Sequence, residues 1–478
     1  MHDSYITTSI PYVNAAPHIG HALELVQADT IARYLRLNDS RVTFQTGTDE
    51  NAHKNVIAAN QMKIPVQQLV DDNSDGYRRL VSELDTAPQS FIRTTESRHR
   101  SGVQKFWQAI DQSDIYEKSY RGRYCEGCED FLSERDLADG KCPDHLETPT
   151  MIEESNYFFR LSAYQDRIDR LIASDRIRIY PKERKREVLA FIRRGLHDIS
   201  VSRDASRMSG WGIPVPGDNT QVIYVWIDAL INYITGIGYG SGESWRDVWN
   251  DRTWKAHMIG KNVWKFHGVY WPALLLSAGL PVPNSVIVHG FLTAEGRKIS
   301  KSLGNAIDPA AEIDRFGSES LRFYLLSLST FADGDYSRRD LLRTYNSQIA
   351  ARLGSTVTRV TALCERFGLG SVDLPERPPA TESFHEAMRL FRLERSLEAL
   401  LKMLDTINAE IAELRPWNSE VECGEVLVKL SDWVLSAYAV GYWLGAFVPE
   451  VSKRVCSVFS QDPIRKPETL FTRKEVSI

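Results

Sequence analysis

Two histidines, His18 and His21, lie one helical turn apart near the start of the chain. Pro17 precedes the pair and Gly20 stands inside it, where a glycine lets a nucleotide approach the backbone closely. The surrounding residues predict a strand before the pair and a helix after it. Backbone N–H groups at a helix N-terminus attract anions, and both imidazoles could reach a phosphate. Taken alone, the pattern is also typical of histidines that cap a helix or face solvent.

A second cationic segment lies far along the chain. Lys298 and Lys301 flank the small hydroxyl residues Ser300 and Ser302, in a loop after a predicted strand that ends at His289. Lysines carry point charges on flexible stems, which suits them to follow a pyrophosphate group as it leaves. Taken alone, the segment is more typical of a solvated basic loop.

Three of the six cysteines form, with one histidine, two short-spaced pairs: Cys125-x-x-Cys128 and Cys142-x-x-His145. Three thiolates and an imidazole suit tetrahedral Zn²⁺, and four protein ligands leave no open coordination position. The spacing therefore predicts a structural zinc site, with unmetallated thiols as the alternative. Six cysteines in 478 residues are too few for a disulfide scaffold.

Alternating strands and helices must position these residues. Short β-prone segments are predicted at 5–11, 41–46, 221–226 and 285–289, and apolar residues at helical spacing follow His18. This alternation predicts an α/β fold with a Rossmann-type parallel sheet, where ligands bind at the carboxyl ends of the strands.

The chain changes character twice along its length. Between residues 116 and 210 the alternation stops, which we interpret as an insertion into one nucleotide-binding fold. After residue 330, apolar stripes at 349–363 and 397–414 predict a helix bundle. The predicted units are the first catalytic half at 1–115, the connective insertion with the zinc knuckle at 116–210, the second catalytic half with the lysine loop at 211–330, and the helical domain at 331–478.

Composition supports a soluble globular protein of roughly three domains. Hydrophobic residues make up 42% and charged residues 25%, and 58 basic against 63 acidic residues give a net charge of −5. This balance of charges argues against a protein whose surface mainly binds nucleic acid, although it permits a local basic face. The uncharged run at 433–449 is interpreted as a buried helix rather than a membrane span. No signal peptide is visible, so we predict a cytoplasmic protein without membrane contact.

The motifs His18-Ile-Gly-His21 and Lys298-Ile-Ser-Lys-Ser302, separated by an insertion, together resemble those of a class I aminoacyl-tRNA synthetase. The likeness narrows to the methionyl-tRNA synthetases and covers essentially the whole chain, through SIPYVNAAPHIGH, TGTDE, WGIPVPGD, YVWIDALINY, FHGVYWPA and FLTAEGRKISKSLGN. The resemblance implies that methionine and ATP form methionyl-adenylate, and that the methionyl group then passes to the terminal ribose of tRNA(Met).

The resemblance also implies roles for single residues. His18, His21, Lys298 and Lys301 would be catalytic, stabilising charge as the methionine carboxylate attacks the α-phosphorus while Mg²⁺ helps pyrophosphate leave. No nucleophilic side chain is required. The implied ATP-binding residues are Pro17, Gly20, Gly260, Asn262, Ile299, Ser300 and Ser302.

An apolar and aromatic pocket would receive the thioether, because sulfur is polarisable and packs against aromatic rings. Asp49 resembles the family's carboxylate that holds the substrate ammonium; a helix N-cap is its other interpretation. The remaining implied pocket residues are Ile10, Tyr12, Trp226, Ala229, Leu230, Tyr233, Val263 and His267. In the family, the zinc knuckle lies on the insertion and helps to place the tRNA acceptor end.

The catalytic region departs from the family pattern at two places. Asn51-Ala52 follows TGTDE where the family usually has His-Gly. Asn262 stands where many relatives have an aspartate that contacts ribose; its amide can still donate and accept hydrogen bonds.

A third departure lies in the helical domain. Relatives read the anticodon with an asparagine, an arginine and a tryptophan; Arg359 and Trp417 are present here, but Ser355 replaces the asparagine. Serine cannot offer the bidentate amide edge that reads a base. Trp417 can still stack on a base, and Arg359 can bond or stack.

These departures leave three classes of function open. The first is a methionine–tRNA ligase, which would bind a structural Zn²⁺ and use Mg²⁺ with ATP. Charging of tRNA would test it. Its partners would be ATP, L-methionine and tRNA(Met), and a monomer is expected. The second is a paralogue that passes an aminoacyl-adenylate to a non-tRNA acceptor in natural-product biosynthesis, of the hydrazine-synthetase type that works with a cupin protein. The third is a non-catalytic RNA-binding or regulatory protein.

Overall fold

The computed structural model describes residues 3–125, 127, 130–132, 134, 137–143, 146–294, 296–299, 306–418 and 421–475. Of residues 130, 297 and 298 it describes the backbone alone. Five residues assigned above to the zinc and lysine motifs lie outside the described residues: Cys128, His145, Ser300, Lys301 and Ser302.

The strands and helices have the following bounds. The strands are β1 Asp3–Thr8, β2 Arg41–Thr48, β3 Ser90–Arg93, β4 Ile115–Cys125, β5 Asp130–Leu132, β6 Thr150–Phe159, β7 Arg178–Tyr180, β8 Ile199–Ser200, β9 Ser202–Asp204, β10 Pro214–Val215, β11 Asp218–Ile223, β12 Trp254–Gly260, β13 Ser285–His289, β14 Leu292–Ala294, β15 Arg297–Lys298 and β16 Gly334–Tyr336. The helices are α1 Ile19–Leu37, α2 His53–Met62, α3 Val66–Glu83, α4 Ser97–Ala109, α5 Gln165–Ala173, α6 Lys182–Arg193, α7 Val225–Thr235, α8 Trp245–Val248, α9 Trp271–Ser277, α10 Pro309–Phe316, α11 Ser318–Ser327, α12 Arg338–Thr344, α13 Gly354–Phe367, α14 Glu382–Arg389, α15 Leu393–Leu414, α16 Cys423–Leu444 and α17 Pro449–Phe459. Two π-helical segments, Phe266–Tyr270 and Tyr345–Leu353, lead into α9 and α13.

The central sheet is parallel and has the strand order β3-β2-β1-β12-β13-β7. Its inner strands are apolar because both faces are covered; all five residues of β13 are buried. The chain runs outward from β1 to β3 and later returns on the other side of β1 as β12. The order therefore reverses between β1 and β12, and ligands bind in open α/β sheets beside the carboxyl ends of the strands at such a point.

The inserted segment is built on a long antiparallel pair, β4 and β6, joined at its edges by β5 and β8. The cysteine knuckle lies between β4 and β6. Strand β7 falls within the range 116–210 assigned above to the insertion, yet it pairs in parallel with β13 as an edge of the central sheet. A strand of three residues carries too little periodicity to reveal this in the sequence.

The prediction of a strand at 221–226 is wrong for residues 224–226, and the strand that does form lies outside the central sheet. Strand β11 ends at Ile223 and pairs antiparallel with β9 and β10, outside the central sheet. Helix α7 begins at Val225 and is almost entirely buried. Short apolar runs do not separate a strand from a buried helix. The central sheet contains β12 rather than this strand.

The C-terminal region is helical, as predicted. Helices α13 to α17 pack around a continuous apolar core that also reaches α1 and α11. Most of the run at 433–449 lies in α16, where Trp433, Val440 and Trp443 are buried. Among the described residues, no helix is long and apolar enough to cross a membrane.

Candidate active site

A cavity of about 940 Å³ opens where β1 and β12 end. It brings together most of the described residues that were expected to bind ATP or methionine: Ile10, Tyr12, His18, Gly20, His21, Trp226, Ala229, Leu230, Tyr233, Gly260, Asn262, Val263, His267 and Ile299. Pro17 and Asp49 do not border it. The cavity is of a size typical for small-molecule sites.

The two histidines cap helix α1 reciprocally. The Nδ1 atom of His18 accepts the N–H of Gly20 at 3.1 Å, and the Nδ1 atom of His21 accepts the N–H of His18 at 3.1 Å. Their rings stack with centroids 3.9 Å apart. A neutral imidazole whose Nδ1 accepts a hydrogen bond carries its proton on Nε2. Each ring therefore carries its proton on Nε2, and the Tyr77 hydroxyl lies 3.5 Å from Nε2 of His21.

Gly20 is required by the ring of His18. A Cβ at position 20 would lie 2.9 Å from the Cε1 atom of His18, so a side chain there would displace the capping ring. The N–H of Ile19 already donates to the carbonyl of Ile307 at 3.0 Å. The first backbone donors of α1 therefore have partners within the protein.

The lysine motif is placed by a hairpin formed by β14 and β15. Gly296 makes its turn with φ +70, a conformation that favours glycine. Ile299, at the end of the hairpin, is buried and borders the cavity. The backbone of Lys298 therefore lies next to the cavity wall.

The end of β2 is pinned from both sides. The N–H of Asp49 donates to the carbonyl of Pro11 at 2.8 Å, and Asp49 forms a β-bridge with Tyr12. Glu50 is fully buried and accepts Nε of Arg93 at 2.6 Å and a second guanidinium nitrogen at 3.1 Å. A buried carboxylate needs such a partner, because desolvation would otherwise destabilise its charge. Asp49 is thereby held beside Tyr12, which lines the cavity.

Aromatic side chains form the other end of the cavity. Trp226 stacks on Phe266 with ring centroids 3.9 Å apart and an interplanar angle of 7°. Tyr12 lies 5.8 Å from Trp226, centroid to centroid. The sequence analysis did not select Phe266, which lies in the π-helical segment before α9. Extra π-helical turns often mark functional sites, but nothing in the residue pattern signalled this one.

His267 lines this aromatic pocket as an uncharged imidazole. Its Nδ1 atom lies 3.0 Å from the carbonyl of Val263, so Nδ1 carries the proton and Nε2 accepts the Tyr233 hydroxyl at 2.6 Å. Burial lowers the pKa of His267 to about 4, so the ring is uncharged at neutral pH. An uncharged, aromatic pocket favours an apolar side chain and excludes a cationic one.

A buried pair that the sequence analysis missed joins the two motif-bearing regions. Glu24 lies one turn beyond His21 on α1, and its carboxylate accepts the N–H and the hydroxyl of Ser9 at 2.7 and 2.6 Å. Its other oxygen lies 2.8 Å from Nε2 of His289, the last residue of β13. All three line the cavity. The helical spacing of Glu24 from His21 was the available signal.

Known proteins share this fold and these motifs. The sequence matches the family described as tRNA synthetases class I (M) over residues 4–148 and 144–361. The chain belongs to the class I tRNA synthetases. The methionine–tRNA ligase of Thermotoga maritima is 38% identical over 433 residues, covering 86% of this chain and 68% of that protein. The Brucella suis enzyme of the same name is 37% identical, covering 95% and 91%. The Mycobacterium tuberculosis methionyl-tRNA synthetase in complex with methionyl-adenylate superposes with a TM-score of 0.88 at 31% identity, covering 99% of this chain and 100% of that one.

The cysteine knuckle of this class I tRNA synthetase is described only in part. Cys125, at the end of β4, and Cys142 are both buried, at 2% and 1% exposure. Cys142 lies in a turn in which its carbonyl accepts the N–H of Leu146 at 2.8 Å. Cys142 and the adjacent Pro143 border the cavity, so the insertion reaches the active site. Two buried thiols are compatible with a zinc site.

The helical domain of the synthetase presents exposed polar and aromatic groups. Ser355 and Arg359 lie one turn apart on α13, both exposed, and Trp417 follows α15 with 55% of its surface exposed. A guanidinium nitrogen of Arg359 donates to Oδ1 of Asn408 on α15 at 2.7 Å. The amide of Asn408 in turn donates to the hydroxyl of Thr356 at 2.7 Å. An amide therefore stands beside Arg359, supplied by a neighbouring helix rather than by α13.

The neutral histidines of the synthetase predict acid sensitivity. Burial lowers the pKa of His267 to about 4 and that of His257 well below its ordinary value, whereas in the unfolded chain both titrate near 6.5. The unfolded state therefore takes up protons first, and the stability present above pH 6.5 is lost as the pH falls towards 4. We expect the free energy of unfolding, measured by urea titration, to fall by up to about 1.4 kcal/mol per pH unit per histidine. His267→Gln should reduce this slope; an unchanged slope would contradict the assignment.

Proposed function

We propose that this protein activates methionine with ATP and charges tRNA(Met). A methionine carboxylate oxygen attacks the α-phosphorus of ATP, the bond to the bridging oxygen breaks, and pyrophosphate leaves. A hydroxyl of the terminal ribose of the tRNA then attacks the methionyl carbonyl, and AMP leaves. Mg²⁺ bound with ATP would neutralise phosphate charge and help pyrophosphate to leave.

The observation that carries the proposal is one cavity that holds both halves of the chemistry. The capping histidines, His18 and His21, line this cavity, and so do Trp226 and the neutral His267. The family membership supports the same reaction: relatives at 37–38% identity are named methionine–tRNA ligases. A solved neighbour holds methionyl-adenylate.

The residues would act by positioning and by electrostatics. The imidazoles of His18 and His21, with Lys298 and Lys301, would stabilise the charge that develops on the phosphate oxygens. Gly260, Asn262 and Ile299 would line the nucleotide. Asp49 would hold the methionine ammonium. Because Tyr12 lines the cavity and Asp49 does not, Tyr12 would have to move for the substrate to reach the carboxylate.

Two assays on the same purified protein test the proposal. Pyrophosphate exchange into ATP is measured with each of the twenty amino acids, and charging is measured with a tRNA(Met) transcript and an anticodon variant. We expect exchange with methionine only, and charging that depends on the anticodon. Exchange without charging would favour the paralogue with a non-tRNA acceptor, which the named relatives do not favour. No exchange with any amino acid would contradict activation altogether.

We also propose that the knuckle holds a structural Zn²⁺ through Cys125, Cys128, Cys142 and His145. Zinc bound there would fix the tip of the insertion beside the cavity and so place the tRNA acceptor end. The cytoplasmic location and the monomeric state stay predictions from the sequence.

Metal analysis of the purified protein is expected to give one Zn²⁺ per chain. Cys142→Ser should lose most of that zinc, because a hydroxyl is a poor substitute for a thiolate ligand. Cys423→Ser, an exposed cysteine outside the knuckle, is the matched control and should retain it. Full zinc content in Cys142→Ser would contradict the ligand assignment.

A further inference from the structure

Asn51, where this chain departs from its relatives, is buried at the junction between β2 and α2. It is 2% exposed and directly follows the pinned pair Asp49-Glu50. Its Nδ2 atom donates to Oδ2 of Asp228 at 2.7 Å and to the carbonyl of Thr94 at 3.2 Å. Both acceptors fix the orientation of the amide, since only the NH₂ group can donate.

Asp228 belongs to the helix that carries the aromatic pocket. It lies in the first turn of α7 and is fully buried. Its other oxygen, Oδ1, lies 2.6 Å from Nε2 of His99, whose Nδ1 lies 2.7 Å from the hydroxyl of Thr235 at the end of the same helix. The chain Asn51–Asp228–His99–Thr235 therefore holds α7 near both of its ends.

Helix α7 supplies four residues of the cavity wall, Trp226, Ala229, Leu230 and Tyr233. The side chain of Asn51 links the first turn of this helix to the strand end that carries Asp49, and Gln45, further back on β2, donates from Nε2 to Oδ1 of Asn232 on α7 at 2.8 Å. The strand end is itself rigid, because Nδ2 of Asn55 donates to the carbonyl of Glu50 at 2.8 Å. A shift of Asn51 would therefore move the pocket relative to the carboxylate.

We propose that Asn51 is a positioning residue that sets the distance between the ammonium-binding carboxylate and the side-chain pocket for the amino acid. The inference rests on the function proposed above. Asn51 does not line the cavity, whereas residues of β12, β14 and α1, where the nucleotide would bind, do. Loss of the Asn51–Asp228 bond should therefore weaken binding of the amino acid and leave binding of ATP unaltered.

The sharpest variant is Asn51→Asp, which keeps the shape of the side chain and removes the donor. It places a carboxylate against the Asp228 carboxylate at 2.7 Å, where two like charges repel. In pyrophosphate exchange we expect the KM for methionine to rise at least about tenfold and the KM for ATP to change less than about twofold, which is about 1.4 kcal/mol of selective loss. Asn51→Ala, which removes the donor without adding charge, should shift the same constant in the same direction.

Asn156→Asp is the matched control. Asn156 is also a buried amide that donates to a carboxylate, that of Glu154 at 3.0 Å, but it lies on β6 in the insertion. Its substitution should leave the KM for methionine unchanged. Should Asn51→Asp not fold, Asn51→Ala decides by the same criterion.

Two results would overturn the positioning role: KM values for methionine and ATP that rise together, as in a merely structural defect, or a KM for methionine that does not move. Either result would leave the proposed function intact if the wild-type protein exchanges pyrophosphate with methionine. If the wild type activates a different amino acid, the KM for that amino acid is measured instead of the KM for methionine. No exchange with any amino acid overturns both.

Discussion

The substitution His21→Asn is expected to lower kcat for methionine-dependent pyrophosphate exchange by about 10²–10³-fold. A loss of this size is typical when one hydrogen-bond donor that stabilises a developing anion is removed. The Oδ1 atom of asparagine can replace Nδ1 of the imidazole, which accepts the N–H of His18. The variant keeps the cap of α1 and loses the Nε2–H together with the ring that stacks on His18. The thermal midpoint should therefore change little while the rate collapses.

His21→Gln is the matched control. Its amide can replace Nε2 but cannot cap the helix from the same position, so it should retain more activity than the asparagine variant and lose stability of about 1 kcal/mol. The two variants separate the structural role of the imidazole from its chemical role. A rate in His21→Asn close to that of the wild type would mean that the histidine is only a cap.

Replacing Trp417 by alanine is expected to reduce kcat/KM for tRNA(Met) charging by about tenfold to a hundredfold and to leave pyrophosphate exchange unchanged. A stacked base contributes about 1–3 kcal/mol. Trp417 is 55% exposed, in the turn after α15, so its removal leaves no core cavity. The effect should therefore fall on the tRNA step alone.

Val428→Ala is the control for this variant, since Val428 is another exposed apolar side chain of the helical domain, on α16. It should alter neither assay. Equal charging by Trp417→Ala and the wild type would show that the helical domain does not read the anticodon through this residue.

Local features were predictable from the sequence. The helix after His18 begins at Ile19, and the strand predicted at 285–289 has those bounds. Both are governed by interactions within a few residues: capping chemistry in the first, and an uninterrupted β-branched run in the second. The parallel sheet and the helical C-terminal region followed from the same periodicities, and the two motifs identified the family because they occur together with an insertion between them.

Only the tertiary structure decided which partners these residues meet. The run at 224–226 begins a helix because α7 is enclosed by the sheet and α4, and β7 returns to the central sheet because β13 offers it an edge. The Asn408 amide beside Arg359, the stacking of Phe266 on Trp226 and the bond from Asn51 to Asp228 each join residues that are 40 to 177 positions apart. Periodicity reports which face of an element is buried, but not the element that covers it. The sequence alone thus determined the chemical groups that the protein carries, whereas long-range packing decided how Asp49, the apolar pocket and the two capping histidines are spaced.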